Sequence, residues 1–162
     1  VSEQALLAEL GALYDDVDAL YLGASCDRST ECCRFGITGR EPQVTSLELA
    51  LVARALRQRG GQPGPKQRAL PLAGDSSLAH RGPARATAAR EGACPLLLKS
   101  GRCAVYEARP LGCRTFFCQR AQLAHPVDRH DLRDAVRRLQ ELAVRHAPGG
   151  DRPRALSRAL DT

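Results

Sequence analysis

Tryptophan and methionine are absent from this chain, and only six aromatic residues, three Tyr and three Phe, occur among its 162. Large core side chains are therefore scarce. The 43% apolar content suits one modest core built from Ala, Leu and Val, with something else helping to hold it. Lysine is nearly missing too: Lys66 and Lys99 stand among 24 basic residues, so the formal charge of +6 is almost all guanidinium. The arginines are scattered, carboxylates accompany them in each expected helix, and base-stacking aromatics are not interleaved with them. A basic nucleic-acid-binding module is accordingly only the alternative reading. No apolar run approaches the roughly 18 residues a spanning helix needs, which speaks against a membrane partner. No basic start followed by an apolar run precedes Glu3, so the expected compartment is the cytoplasm, where thiols stay reduced. The chain also lacks a nucleophile elbow, a P-loop, a dinucleotide fingerprint and a metalloprotease helix, so nothing in it signals an enzyme.

What is present begins with helical periodicity. Leu6, Leu10, Leu13, Val17 and Leu20 recur at threes and fours, predicting a helix from Ser2 to about Tyr21 with Ser2 as N-cap. Thr45 and Glu48 have capping-box spacing ahead of Leu47, Leu51, Val52 and Leu56, and Gly60 and Gly61 end that helix. A third helix is expected from Asp128 to His146, with Leu132, Val136, Leu139 and Leu142 on one face. Asp15, Asp16 and Asp18 read as the solvated face of the first helix rather than a hard-metal site. Residues 60–92 are rich in Gly and Pro without Ile, Val or any aromatic, and are expected to form a flexible internal loop. Cys94 to Tyr106 reads as a short β-hairpin around Lys99, Ser100 and Gly101. Residues 147–162, beyond Pro148 and Gly149, are expected as a loose tail. The fold class is thus mainly α: one small helical domain over residues 1–162, with irregular cysteine-rich turns and a short hairpin packed around a metal site.

Seven cysteines carry the chemistry. Cys26, Cys32 and Cys33 lie within eight residues; Cys94, Cys103, Cys113 and Cys118 lie within twenty-five; the sixty residues between have none. Thiolates are soft ligands, and four of them arranged tetrahedrally suit zinc or the irons of an iron–sulfur cluster. All seven are candidate ligands, Cys118 with the weakest claim. Such a site carries net negative charge, and Arg28, Arg34, Arg102, Arg109 and Arg114 each lie within four residues of a cysteine. Arg109, Arg114 and Tyr106 are the expected outer partners, and Phe35, Phe116 and Phe117 with Tyr106 are candidates for a water-excluding shell. Cys32 and Cys33 are adjacent, so both sulfurs reach one metal only from a tight turn. An odd cysteine count and a cysteine content below that of secreted scaffolds argue against a disulfide framework. A thiol redox switch remains an alternative, although C-x-x-C spacing is missing.

The later block reads Cys94-Pro95-Leu96-Leu97, Cys103-Ala104-Val105-Tyr106, Arg109-Pro110 and Cys113-Arg114. In this it resembles the YkgJ family of bacterial cysteine-cluster proteins, regarded as zinc- or iron-chelating. The early block of that family is C-x-x-C-x-x-C-C; here Ser29 stands where its second cysteine is expected. The resemblance covers roughly residues 22–120, apart from 60–92. It implies a zinc or iron–sulfur cofactor, with a structural role or one in metal or redox handling. With Ser29 in place of a thiol, one complete site is expected rather than two, and His125 is a candidate substitute ligand.

Overall fold

A computed structural model describes residues 1–25, 30–70, 91–116 and 121–161. Helix α1, Glu3–Leu20, opens where Ser2 Oγ accepts a hydrogen bond from the Ala5 N–H. Its buried stripe is Leu6, Leu7, Leu10, Leu13, Tyr14 and Val17. Two short turns follow, a 3-10 turn at Glu31–Cys33 and helix α2 at Phe35–Thr38, and then strand β1, Gln43–Val44. Helix α3, Ser46–Arg59, starts from the full capping box: Thr45 Oγ1 accepts from the Glu48 N–H while Glu48 Oε2 accepts from the Thr45 N–H. Gly60 ends it with a positive φ of 91°, a conformation glycine adopts without steric cost.

After a 3-10 turn at Tyr106–Ala108 come helix α4, Leu111–Arg114, and the long helix α5, Arg129–His146, capped by Asp128. Salt bridges join Arg138 to Asp16, Arg145 to Glu9 and His146 to Glu3. Numbers rise along α5 as they fall along α1, so the two helices run antiparallel. The face of α5 differs from the periodic expectation: Ala135, Leu139, Leu142 and Ala143 are buried, Leu132 is only half-buried, and Val136 is 45% exposed. The leucines of α1 already fill the seam, and alanines let the helices approach; hydrophobic periodicity weights alanine too lightly to show this.

The C-terminal segment is not a loose tail. Strand β2, Arg154–Ala155, pairs antiparallel with β1, Gln43 opposite Ala155 and Val44 opposite Arg154. Helix α6, Leu156–Leu160, buries Leu156, Ala159 and Leu160. The expected loop is also partly tied down. Arg68 bridges Leu98, the Ala69 N–H donates to the Leu97 carbonyl and the Lys99 N–H to that of Gln67. The rest of that loop, residues 71–90, lies outside the described residues. The expected hairpin exists as a chain reversal at Gly101, φ 76°, with one bridge, Leu97 to Cys103, and the Ala104 N–H bonded to the Leu96 carbonyl. Its arms do not extend into strands.

Two apolar clusters result. The first joins α1, α3, Leu111 and α5 and, among the described residues, contains no cysteine. The second gathers Val44, Val52, Leu56, Leu96, Leu97, Val105, Ala108 and the α6 residues around Cys94, with Cys33, Cys103 and Cys113 packed against it. Leu51 of α3 touches both. The fold is mainly helical, and four of the described cysteines lie in or against its second core. Among the described residues, no helix is long and apolar enough to cross a membrane.

Candidate metal centre

The two cysteine blocks meet through backbone pairing. The Cys94 N–H donates to the Cys33 carbonyl at 2.8 Å, the Phe35 N–H to the Gly92 carbonyl at 3.1 Å, and Arg34 bridges Ala93 antiparallel. Gly92 is needed at this crossing: its φ is 54°, and a Cβ there would stand 2.9 Å from the Gly36 nitrogen. Segments sixty residues apart are thereby laid side by side.

Thr30, in the left-handed conformation at φ 64°, leads into the 3-10 turn that carries Cys32 and Cys33. The turn swings the adjacent side chains to one side, leaving their sulfurs 3.9 Å apart. Cys113 sits on α4; Cys94 and Cys103 lie in the reversal. Three of the five described cysteines therefore lie in short helical turns rather than irregular ones.

These five thiols, Cys32, Cys33, Cys94, Cys103 and Cys113, are free and lie within charge reach of one another. The hydrogen bond between the Cys32 and Cys33 sulfurs, with help from the Arg109 charge, lowers Cys32 to about 6. The same hydrogen bond, burial and the neighbouring sulfurs push Cys33 up. Burial raises Cys94 to about 12 and also raises Cys103 and Cys113, with nearby cysteines adding to the effect. Burial thus opposes ionisation at Cys33, Cys94, Cys103 and Cys113, while the hydrogen bond between Cys32 and Cys33 favours it at Cys32.

A stability prediction follows for the metal-free protein. Folded Cys94 keeps its proton to about 12 against an ordinary 9.0. Its contribution is complete below pH 9 and is lost as pH rises from there towards 12, because the unfolded chain releases the proton first. In apo-protein whose second cluster stays packed, the thermal midpoint is expected to fall as pH rises from 9 towards 12, and Cys94→Ala is expected to flatten that fall. An equal fall in both proteins excludes this assignment.

The outer partners divide. Arg109 stacks on the Tyr106 ring with Cζ 3.6 Å from its centroid, donates from Nε to the Tyr106 carbonyl, and lowers Cys32, Cys103 and Cys113 by its charge. Arg114 instead faces α1: it bonds Asp18 at 2.5 Å, stacks on Tyr14, and donates to the carbonyls of Arg109 and Glu107. Asp18, expected only as solvated surface, is its anchor. Arg34 is buried and donates to Glu91 at 2.5 Å, to the Leu70 carbonyl and to Thr30 Oγ1. Tyr106 is 54% exposed and does not exclude water from the sulfurs, whereas Phe35, like Cys33 and Cys113, is partly buried against the second cluster. Phe116 lies under Arg40, and His125 and Arg102 are exposed.

Cys26, Arg28, Ser29, Phe117 and Cys118 lie outside the described residues. Their flanks are joined: Ser25 and Gln122 exchange both backbone hydrogen bonds at 2.8 Å. Glu48 was legible only as a cap. It is 1% exposed, and its Oε1 also accepts from the Tyr14 hydroxyl and from the Leu111 N–H.

The donors suit a thiophilic metal. Two thiolates on a tetrahedral zinc, each at about 2.3 Å, stand about 3.8 Å apart, close to the 3.9 Å between Cys32 and Cys33. Among the described residues, no group of three or more Cys, His, Asp or Glu side chains is placed to hold a metal ion. The family model CxxCxxCC, described as a putative zinc- or iron-chelating domain, matches residues 25–132. No curated protein and no solved structure matches the chain.

Proposed function

The chain belongs to the CxxCxxCC family of zinc- or iron-chelating domains, and from this premise we propose that it holds a single tetrahedral zinc or iron ion whose main work is structural. The observation that carries the reading is the 3.9 Å between the Cys32 and Cys33 sulfurs. That spacing suits two thiolates on one ion. In a four-iron cluster held by four cysteines, each would serve its own iron.

Cys32 and Cys33 would be joined by two of Cys94, Cys103 and Cys113, all of which interact with them or with each other. Cys26 and Cys118, next to Ser25 and four residues before Gln122 in sequence, are alternates that would each take the place of one of these four ligands. Bound metal supplies the positive charge that lets these thiols ionise, so loading releases protons. Arg109 offsets part of the negative charge of a four-thiolate site from beside the Tyr106 ring. A nucleic-acid role has less support, because Arg34, Arg114, Arg137, Arg138 and Arg145 are each paired with a carboxylate.

Anaerobic purification followed by metal and acid-labile sulfide analysis tests the proposal. One zinc or iron per chain without sulfide is the expected result. A brown protein carrying sulfide overturns the single-ion form, and a metal-free, fully folded protein overturns both.

A further inference from the structure

Helix α4 presents Cys113, yet it has no cap of its own. It is preceded by Pro110, which has no polar side chain, and no local side chain bonds its first N–H groups. The bond comes from another element: Glu48 Oε1, on the first turn of α3, accepts the Leu111 N–H at 2.8 Å. The same oxygen accepts the Tyr14 hydroxyl at 3.1 Å, while Oε2 accepts the Thr45 N–H at 2.8 Å and the Thr45 hydroxyl at 3.0 Å. One buried carboxylate thus satisfies four donors from three elements.

The surroundings leave α4 little freedom. Pro110 is fully buried, and a Cβ on Gly112 would lie 2.9 Å from Pro42 Cβ. Arg114 closes the far end on Asp18 and the Tyr14 ring, whose hydroxyl returns to Glu48. A short helix is held by few bonds, and displacing its first N–H moves the residue two places on. Cutting a buried carboxylate from four donors is costly, because the donors are left without partners.

We propose that Glu48 is a positioning residue for the metal centre: through the Leu111 N–H it fixes the α4 turn so that the Cys113 sulfur meets the ion, joining the helical layer to the sulfur cluster. The inference rests on the metal-binding reading above. Its chemistry resembles outer-partner control at other metal sites, where losing such a group lowers affinity about 10–100-fold. Here the control acts through the main chain rather than through a bond to the ligand itself.

A double-mutant cycle tests it, with cobalt(II) as the probe and the thiolate-to-metal absorption band as the readout. Glu48→Gln keeps the shape but cannot accept all four bonds. In otherwise wild-type protein it is expected to weaken cobalt binding about tenfold and to reduce the band as Cys113→Ser does. In a Cys113→Ser background, adding Glu48→Gln is expected to leave cobalt affinity almost unchanged while still lowering the thermal midpoint. Equal losses of affinity in both backgrounds make Glu48 a general stabiliser and overturn the proposal. Should Glu48→Gln fail to fold, Tyr14→Phe removes one bond to the same oxygen, and the cycle is read with it on the same criteria. A wild-type protein that takes up no cobalt, zinc or iron fails the metal reading itself; one that loads normally but gives an additive cycle fails this inference alone.

Discussion

Replacing Arg34 with alanine is expected to lower the stability of the loaded protein by about 3–5 kcal/mol, the usual effect of removing one partner from a buried ion pair. The guanidinium is almost fully buried, and it reaches Glu91, the Leu70 carbonyl and Thr30 Oγ1. Leu70 and Glu91 flank residues 71–90, so one side chain ties both sides of that stretch to the residue after Cys33. Thr30 begins the turn that brings the Cys32 and Cys33 sulfurs together. Without Arg34, Glu91 stays buried and loses the guanidinium that lies 2.5 Å from it. Typical domain stabilities are about 5–15 kcal/mol, so the loss is a large share of the total. Arg34→Lys is not expected to rescue it, since an ammonium lacks the planar fork that serves three acceptors at once. Urea unfolding at fixed metal occupancy measures the effect. A change within about 0.5 kcal/mol, the range of ordinary surface substitutions, defeats the assignment.

Arg34 also marks where sequence reading stops. Its closeness to cysteine suggested a cation serving sulfur, but two of its three partners lie 36 and 57 residues away, and no local pattern encodes such distances. Arg114 is similar: its nearest cysteine in sequence is its neighbour, yet its charge goes to Asp18 on α1. Features governed by near neighbours were legible. The Ser2 cap, the Thr45–Glu48 box and the Gly60 stop each depend on residues within four positions, and all three form. The metal-chelating family was legible because two tight groups of cysteines rarely arise otherwise. The β1–β2 pair was not, because two-residue strands carry no period and owe their existence to the chain they meet. Helix α6 is too short for amphipathic periodicity to stand out, and tertiary burial of Leu156 and Leu160 makes it. Glu48 lies between these cases: its bonds to Thr45 were readable, while those to Tyr14 and Leu111 join helices that only the fold brings together.

Stripping the metal is expected to have the largest effect of all, and to have it unevenly. Structural zinc supplies about 10–16 kcal/mol in small metal-dependent domains, as much as the net stability of many whole domains. The first apolar cluster has no cysteine among the described residues and is closed by α1, α3 and α5 through Leu10, Leu13, Leu47 and Leu139. The second includes buried Cys94, with Cys33, Cys103 and Cys113 against it, and the backbone around Cys94 and Cys103 is held by isolated bridges rather than by a sheet. Removing the ion leaves the second cluster with buried thiols and few ordered contacts, while the helical seam keeps its packing. Hydrogen exchange after verified chelation is therefore expected to show protection lost at the amides of Phe35, Cys94, Leu98 and Ala104. Protection should persist from Leu10 to Val17, with most helical circular dichroism retained. Uniform loss across both clusters would mean that the helices depend directly on the ion. No loss at either would leave the metal without a structural role. The uneven outcome is favoured because Leu51 of α3 packs against both cores, and α3 itself is capped by Thr45 rather than by anything sulfur holds.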